Sequence, residues 1–100
     1  MPDLLIEGEL QANAVIVPEV AKKKIKGESR VAGGANILIF PDLNAGNISY
    51  KLVQWLTGGK AYSPILQGFA RLVSDLSRGA TIDDIIRTLI IISTMVVSGI

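Results

Sequence analysis

The residues best suited to chemistry lie in and just after the pentapeptide Asp75-Leu76-Ser77-Arg78-Gly79, with Asp84 five residues beyond Gly79. A serine hydroxyl can orient a small polar hydrogen, and the planar guanidinium of arginine can neutralise an oxyanion or a phosphate. An aspartate can accept a proton if its environment keeps it sufficiently basic. This combination predicts chemistry on a phosphorylated or acyl-bearing substrate.

Each of these three side chains also has a purely structural interpretation. Ser77 could hydrogen-bond the local backbone. Arg78 could form a surface ion pair with a neighbouring aspartate, which is worth about 0–1 kcal/mol. Asp84 ends the tetrapeptide Thr81-Ile82-Asp83-Asp84, which has the spacing of a capping box, and the dipole of a helix lowers the pKa of a carboxylate in its first turn. The residues alone leave both interpretations open.

Alternating apolar runs and helical stripes predict the elements that position these residues. Four strands are predicted, at residues 4–6, 36–40, 61–66 and 72–76. Three helices are predicted, at residues 14–26 with the firmer part from Pro18, between residues 48 and 56 with a stop at Gly58, and from Thr81 onward. The order β-α-β-α-β-β-α predicts a three-layer α/β/α domain with a mostly parallel sheet. In such sheets functional loops gather beyond the carboxyl ends of the strands.

The last predicted helix has apolar residues on nearly every side. One stripe contains Ile82, Ile85, Ile86, Leu89 and Ile90, and outside it lie Ile91, Ile92 and Met95. The apolar stretch 89–97 is shorter than the roughly 20 residues of a membrane helix, so a core or interface helix is predicted. The stripe would cover the sheet, and the second face would need a partner, which predicts a homodimer or a missing N-terminal domain.

Composition excludes several classes of function. Ten basic and nine acidic residues give a formal charge of +1, which provides no field to recruit nucleic acid. The chain has no cysteine and no histidine, so thiolate and imidazole chemistry is excluded and no metal site is predicted. No basic region precedes an apolar stretch at the N-terminus, so we expect no secretory signal and a cytoplasmic location.

Four segments, taken in order, resemble the C-terminal part of the phosphate acetyltransferase (phosphotransacetylase) family. They are Gly8-Glu9-Leu10-Gln11, residues 41–47, Ile65-Leu66-Gln67-Gly68 and the pentapeptide at residues 75–79. The resemblance implies an acyltransferase that moves an acetyl group between acetyl phosphate and coenzyme A, with no metal and no cofactor beyond coenzyme A as a substrate. It also implies that residues 1–100 are a single domain, the C-terminal part of a phosphate acetyl/butyryl transferase catalytic domain with part of an isocitrate/isopropylmalate dehydrogenase-like fold.

The resemblance also implies a catalytic role for three residues. Ser77 would orient the thiol of coenzyme A, Arg78 would stabilise charge on the transferring acetyl phosphate, and Asp84 would accept the thiol proton. An ordinary aspartate is about 4.6 pKa units below a thiol, a gap of roughly 6 kcal/mol, so burial would have to raise the pKa of Asp84. Gly79 would let substrate approach the backbone closely.

A second group of residues could contact substrate at the start of the middle helix. Asn44, Gly46 and Asn47 would line a phosphate site there, because free N–H groups at a helix start bind anions. The alternative is an ordinary cap, with Asn44 or Asn47 as the N-cap residue. The lysines at residues 22–26 could attract the phosphates of coenzyme A, or form a solvated helix face.

The chain departs from the family pattern in two places and in length. Arg71-Leu72 stands where a basic residue and proline are usual, and Ser74 stands where asparagine is usual. Members of the family are much longer and build the site between two domains, so the isolated chain is expected to be inactive. The alternatives are a non-catalytic coenzyme A-binding or dimerisation module, or a phosphate acyltransferase for a longer acyl chain.

Overall fold

The computed structural model describes residues 3–62 and 64–99. These residues form four α-helices: α1 (Ala12–Ile16), α2 (Pro18–Lys24), α3 (Leu43–Thr57) and α4 (Ile82–Ser98). The chain divides into two compact units, Met1–Phe40 with α1 and α2, and Pro41–Ile100 with α3 and α4.

In the first unit, α1 and α2 pack against each other. The prediction that a firmer helix begins at Pro18 is confirmed, because Pro18 is the first residue of α2. Proline suits this position since the first N–H groups of a helix have no intrahelical acceptor. The buried residues of the pair are alanines, Ala14 and Ala21, whose small side chains allow two short helices to approach closely.

A turn after α2 completes the packing of this helix pair. The amide of Gly33 donates to the carbonyl of Ala14 at 2.9 Å, and that of Ala35 donates to Val15 at 3.3 Å. Gly33 has φ of +80°, and a β-carbon there would lie 2.9 Å from the α-carbon of Pro18. Glycine is therefore required at position 33 for two reasons, the left-handed backbone and the close approach.

In the second unit, local signals set the ends of both long helices. The carboxylate of Asp42 caps α3, and Gly58, with φ of 69°, ends it. Thr81 caps α4, and Gly99, with φ of 70°, ends it. The helix predicted from Thr81 and the helix end predicted at Gly58 are both confirmed.

The predicted three-layer α/β/α fold with a parallel sheet is wrong for the residues that the structure describes. Residues 4–6 and 36–40 pair with no strand, and the only pairing between described residues is an isolated antiparallel bridge from Ile65 to Ser74. Ser63, inside the strand predicted at 61–66, lies outside the described residues. The predicted element order β-α-β-α-β-β-α and the predicted dehydrogenase-like sheet are therefore also wrong for the described residues.

The physical reason is that a strand needs a neighbour. The β-branched and aromatic residues at 37–40 favour an extended backbone, but that preference provides no partner for the N–H and C=O groups. Ile37 and Ile39 are 72% and 90% exposed, so among the described residues no apolar layer covers these two side chains. Apolar sequence alone therefore predicted strands without identifying a partner for them.

The packed face of α4 also differs from the prediction. The stripe assigned to the core is exposed, with Ile82 and Leu89 at 77% and 62%. Thr88 is buried, while Ile91, Ile92 and Met95 are partly buried. The two faces of α4 have thus exchanged the roles expected from the sequence. Within residues 3–62 and 64–99, no helix is long and apolar enough to cross a membrane.

Candidate functional site

The pentapeptide at residues 75–79 ends in a tight turn directly before α4. The carbonyl of Ser77 accepts from the amide of Ala80 at 3.0 Å, and its hydroxyl oxygen accepts from the amide of Gly79 at 3.4 Å. The local backbone bond foreseen for Ser77 is therefore present. Since the hydroxyl acts there as an acceptor, its own hydrogen is left for another partner. Ser77, Arg78 and Gly79 are all exposed.

Arg78 does not form the surface ion pair that the sequence allowed. In the described part of the chain the one ion pair joins Arg87 and Asp83, with 3.3 Å between Nη2 and Oδ2. The Oδ1 atom of Asp75 accepts from the amide of Leu76 at 2.7 Å. Both carboxylates that could have paired with Arg78 are thus engaged elsewhere, and the guanidinium remains available to an anion.

Asp84 forms the capping box that the spacing predicted. Its Oδ2 atom accepts from the amide of Thr81 at 2.9 Å, and the amide of Asp84 donates to Oγ1 of Thr81 at 3.1 Å. The hydrogen bond from the Thr81 backbone chiefly lowers the pKa of Asp84 below its ordinary value, and the Thr81 side chain and the Arg87 charge lower it further, although desolvation acts in the opposite direction. The carboxylate is therefore ionised at neutral pH, and it is a weak base in this structure.

Two contacts hold the chain on either side of this turn. Before it, the hydroxyl of Ser74 donates to the carbonyl of Pro64 at 2.5 Å, next to the bridge between Ser74 and Ile65. After it, the guanidinium carbon of Arg87 lies 5.9 Å from the centre of the Tyr62 ring. Sequence analysis missed these contacts, because they join residues that no local pattern relates.

The start of α3 is capped by Asp42 instead of Asn44 or Asn47, so that prediction is wrong. The Oδ1 atom of Asp42 accepts from the amide of Ala45 at 2.9 Å, and its carbonyl accepts from the amide of Gly46 at 3.1 Å. Aspartate is among the preferred N-cap residues and directly precedes the apolar helical stripe, a signal that could have identified it.

Asn44, Gly46 and Asn47 consequently lie inside the first turns of α3. Both asparagines are exposed, and Gly46 is partly buried. Among described residues, α3 and α4 do not pack against each other, so helix packing does not bring these three residues to Asp84 in the first turn of α4. Their predicted contact with substrate stays a prediction.

In the first unit, the segment Glu9-Leu10-Gln11 lines a shallow cavity of about 380 Å³ together with Ala14, Lys24 and Ile25. The ammonium group of Lys24 donates to the side-chain oxygen of Gln11. The other lysines of α2 are exposed, as a solvated face would be. No group of three or more Asp, Glu, His or Cys side chains that could hold a metal ion occurs in residues 3–62 and 64–99.

Comparison with known proteins identifies the family. The sequence profile of the family described as phosphate acetyl/butaryl transferase matches residues 1–93. The chain is 65% identical over 85 residues to a phosphate acetyltransferase of Acetivibrio thermocellus, a match that covers 85% of this chain and 25% of that protein. It is 58% identical over 84 residues to a phosphate acetyltransferase of Borreliella burgdorferi, covering 84% of this chain and 24% of the relative.

A phosphate acetyltransferase of Clostridium acetobutylicum is 54% identical over 90 residues, covering 90% of this chain and 27% of the relative. The chain thus spans about a quarter of the length of these curated relatives. The resemblance carried by the four sequence segments is confirmed, and the chain belongs to the phosphate acetyl/butaryl transferase family.

Proposed function

We propose that this chain supplies part of the active site of a phosphate acetyltransferase, as the C-terminal part of its catalytic domain. The reaction joins acetyl phosphate and coenzyme A to give acetyl-CoA and phosphate, and it is reversible. The observation that carries the proposal is the exposed Ser77-Arg78-Gly79 turn, in which Arg78 has no carboxylate partner among the described residues. It is supported by the names of the relatives.

In the proposed mechanism the thiol sulfur attacks the acetyl carbon directly, within a complex of both substrates. A carbon–sulfur bond forms, the carbon–oxygen bond to phosphate breaks, and phosphate leaves with the bonding electrons. Arg78 stabilises the negative charge that develops on the transferring group, and a preorganised donor of this kind is worth about a hundred-fold or more in rate. Ser77 donates its hydroxyl hydrogen to the thiol sulfur and holds it in line.

Asp84 accepts the thiol proton in this mechanism while it still caps α4. Its Oδ2 atom is engaged by the amide of Thr81, and none of the described hydrogen bonds reaches Oδ1, which is the atom proposed to receive the proton. The lowered pKa of Asp84 makes the transfer unfavourable in the present surroundings. Substrate must therefore exclude water from this carboxylate, since desolvation raises its pKa.

Residues at the start of α3 are proposed to contact the phosphate-bearing parts of the substrates. The Asn44 and Asn47 side chains are exposed in the first turns, and residues three apart are neighbours on a helix surface. The positive end of the helix dipole favours an anion there, although the Asp42 carboxylate already takes the amide of Ala45. Together with Gly46 and Gly79, these residues form the proposed substrate-binding set.

In this proposal coenzyme A is a substrate and no cofactor is required. The proposed location is the cytoplasm. The proposal also includes assembly as a homodimer or with an additional N-terminal domain. Support for an interface comes from the apolar residues exposed on both long helices, such as Trp55 and Leu56 on α3 and Leu89 and Ile90 on α4, because large apolar patches mark interaction surfaces. The family description, which names two acyl groups, leaves a longer acyl chain as an alternative substrate.

A chimeric enzyme tests the function. The matching stretch of the Acetivibrio thermocellus phosphate acetyltransferase would be replaced by this chain, and acetyl-CoA formation would be measured. We expect turnover from the chimera and little or none from the 100-residue chain alone, because both sides of a cleft are needed to position the reactants. A folded chimera without turnover that still binds coenzyme A in calorimetry would favour the non-catalytic binding module. Turnover of about 10 per second from the isolated chain would contradict the proposed incompleteness of the site.

A further inference from the structure

We propose that Tyr62, Pro64 and Ile65, called here the anchor segment, hold both ends of the stretch from Ser74 to Arg87. This stretch contains Ser77, Arg78 and Asp84 and is called here the candidate active-site loop. In this arrangement Ser74 and Arg87 are positioning residues, which attach the two ends of the loop to the anchor segment. The catalytic consequence of this arrangement rests on the proposed function. The attachment of the loop does not, because it follows from contacts between described residues.

The first attachment is made by Ser74, with both its backbone and its side chain. The backbone bridge to Ile65 fixes the register of the two segments. The hydroxyl of Ser74 donates to the carbonyl of Pro64, and it also lies 3.3 Å from the carbonyl of Asp75. Proline has a fixed φ and is stiffer than other residues, so the acceptor for Ser74 is held firmly. Three residues later the chain reaches Ser77.

The second attachment is made by Arg87 on α4. Its guanidinium carbon lies 5.9 Å from the centre of the Tyr62 ring, within the distance of a cation–π contact. The same side chain pairs with Asp83 and is only 23% exposed. Arg87 follows Asp84 by three residues, and such residues lie on neighbouring positions of one helix face. Fixing Arg87 therefore also fixes Asp84.

The whole candidate catalytic set lies between these two attachments. Ser77 and Arg78 follow the first, and Asp84 precedes the second. Because both attachments end on the same short segment, the distance between the turn and the first turn of α4 is constrained from both sides. Displacement of a reacting group by about 1 Å can cost a hundred-fold in rate, so this constraint has a catalytic consequence.

Trypsin provides a test of the attachment in the 100-residue chain itself. Cleavage after Arg78 requires the loop to open, and cleavage after Arg30 in the other unit serves as the internal reference. We expect Ser74→Ala to raise the relative rate after Arg78 by roughly fivefold, the change expected for loss of one hydrogen bond. Ser74→Thr, which keeps a hydroxyl, should remain close to the unaltered chain.

The matched control is Ser49→Ala, which removes a similar bond, from a serine hydroxyl to the Ala45 carbonyl at 2.7 Å in α3. It should leave cleavage after Arg78 unchanged. Tyr62→Leu should also raise this cleavage, whereas Tyr62→Phe, which keeps the ring, should not. Circular dichroism verifies that each variant keeps its helices. Unchanged cleavage after Arg78 in both Ser74→Ala and Tyr62→Leu would overturn the proposal.

Kinetics of the chimeric enzyme test the catalytic consequence. Ser74→Ala should lower kcat by about ten- to a hundred-fold with a smaller change in KM, and Ser74→Thr should restore it. The pH profile should keep its shape, because no proton-transferring group has been removed. Lack of turnover in the unaltered chimera counts against the proposed function, and the trypsin result still decides the attachment. Full kcat in Ser74→Ala within an active chimera would overturn the positioning role.

Discussion

The helix pair α1–α2 and the long helix α4 bury their residues in different ways. In the pair, Ala14 and Ala21 are 1% and 7% exposed, and the backbone of Gly33 closes against Pro18. On α4, Thr88 is buried, but Leu89 and Ile90 are 62% and 59% exposed. Small side chains allow two short helices to be buried against each other and against the backbone of the neighbouring turn. Large aliphatic side chains need an apolar surface of similar size, and the described residues leave theirs uncovered.

Substitutions in the two units should therefore have different effects. Close packing in the first unit should make its stability sensitive to added atoms. The second unit contains the exposed turn with the candidate catalytic residues, and its substitutions should affect rate and helix capping before overall packing. Four substitutions or changes of condition, taken from the largest expected effect to the smallest, test this division.

Arg78→Lys in the chimeric enzyme should lower kcat by about a hundred-fold, although the charge is kept. The ammonium group cannot reproduce the two-pronged contact of the guanidinium with an anion. Arg71→Lys is the matched control, because Arg71 is exposed in the same unit and outside the candidate site, and it should keep the parent rate. Steady-state kinetics measure both, and a lysine variant with unchanged kcat would reduce Arg78 to a surface charge.

Gly33→Ala should destabilise the first unit by about 2 kcal/mol. The substitution forces an L-residue into a left-handed backbone and places its β-carbon against Pro18. Gly34→Ala is the control, since a β-carbon there meets nothing within 4 Å. Urea unfolding would measure the difference, and equal midpoints for the two variants would show that the close approach is not maintained in solution.

Thr81→Ala should destabilise α4 by about 1 kcal/mol, the usual cost of losing an N-cap side chain. It should also raise the pKa of Asp84 part of the way toward its ordinary value, because it removes the bond to the Thr81 side chain while the bond from the Thr81 backbone amide, which lowers this pKa most, remains. Thr94→Ala, which removes a hydroxyl bond to Ile90 in the middle of the same helix, is the control and should leave that pKa unchanged. Carboxyl titration by NMR would follow both variants.

The smallest effect is a pH dependence of α4 itself. The folded-state pKa of Asp84 lies below its ordinary value of 3.8, so the stability gained from this carboxylate is fully present above that value. It is lost as the pH falls through the lowered pKa, where the capping acceptor is protonated. Helicity followed from pH 6 downward should therefore fall less in Asp84→Asn than in the parent chain, and identical curves would contradict the capping contribution.

Most of the local signals in the sequence predict the structure correctly, whereas the predicted long-range strand pairing is wrong. Pro18, Gly58 and the Thr81–Asp84 box each act within one or two helical turns, so their effect can be inferred from neighbours alone. The strand at 36–40 was predicted from composition, but a strand depends on a partner that composition does not name. The exchange of faces on α4 has the same origin, because a helix with apolar residues all round does not specify which side packs.

In the candidate site, too, the local features were predicted and the contacts between distant residues were not. The turn at Ser77 and the cap at Asp84 lie close in sequence, and the structure places them as consecutive features. The attachments through Ser74 and Arg87 reach residues distant in sequence, and no spacing rule indicates them. The N-cap of α3 is the exception among the local features, because the sequence prediction placed it at Asn44 or Asn47 whereas Asp42, an equally good capping residue, occupies it.

Under the proposed mechanism, the capping box would make the first turn of α4 sensitive to turnover. In the proposed mechanism the same carboxyl group that accepts the Thr81 amide also takes up the thiol proton. A neutral carboxyl is a weaker acceptor than a carboxylate, so the first turn of α4 would loosen for the lifetime of the protonated form and tighten when the proton departs. Amide exchange at Thr81 would then run faster in a working enzyme than in a resting one, and the helix end would serve as a reporter of the chemical step.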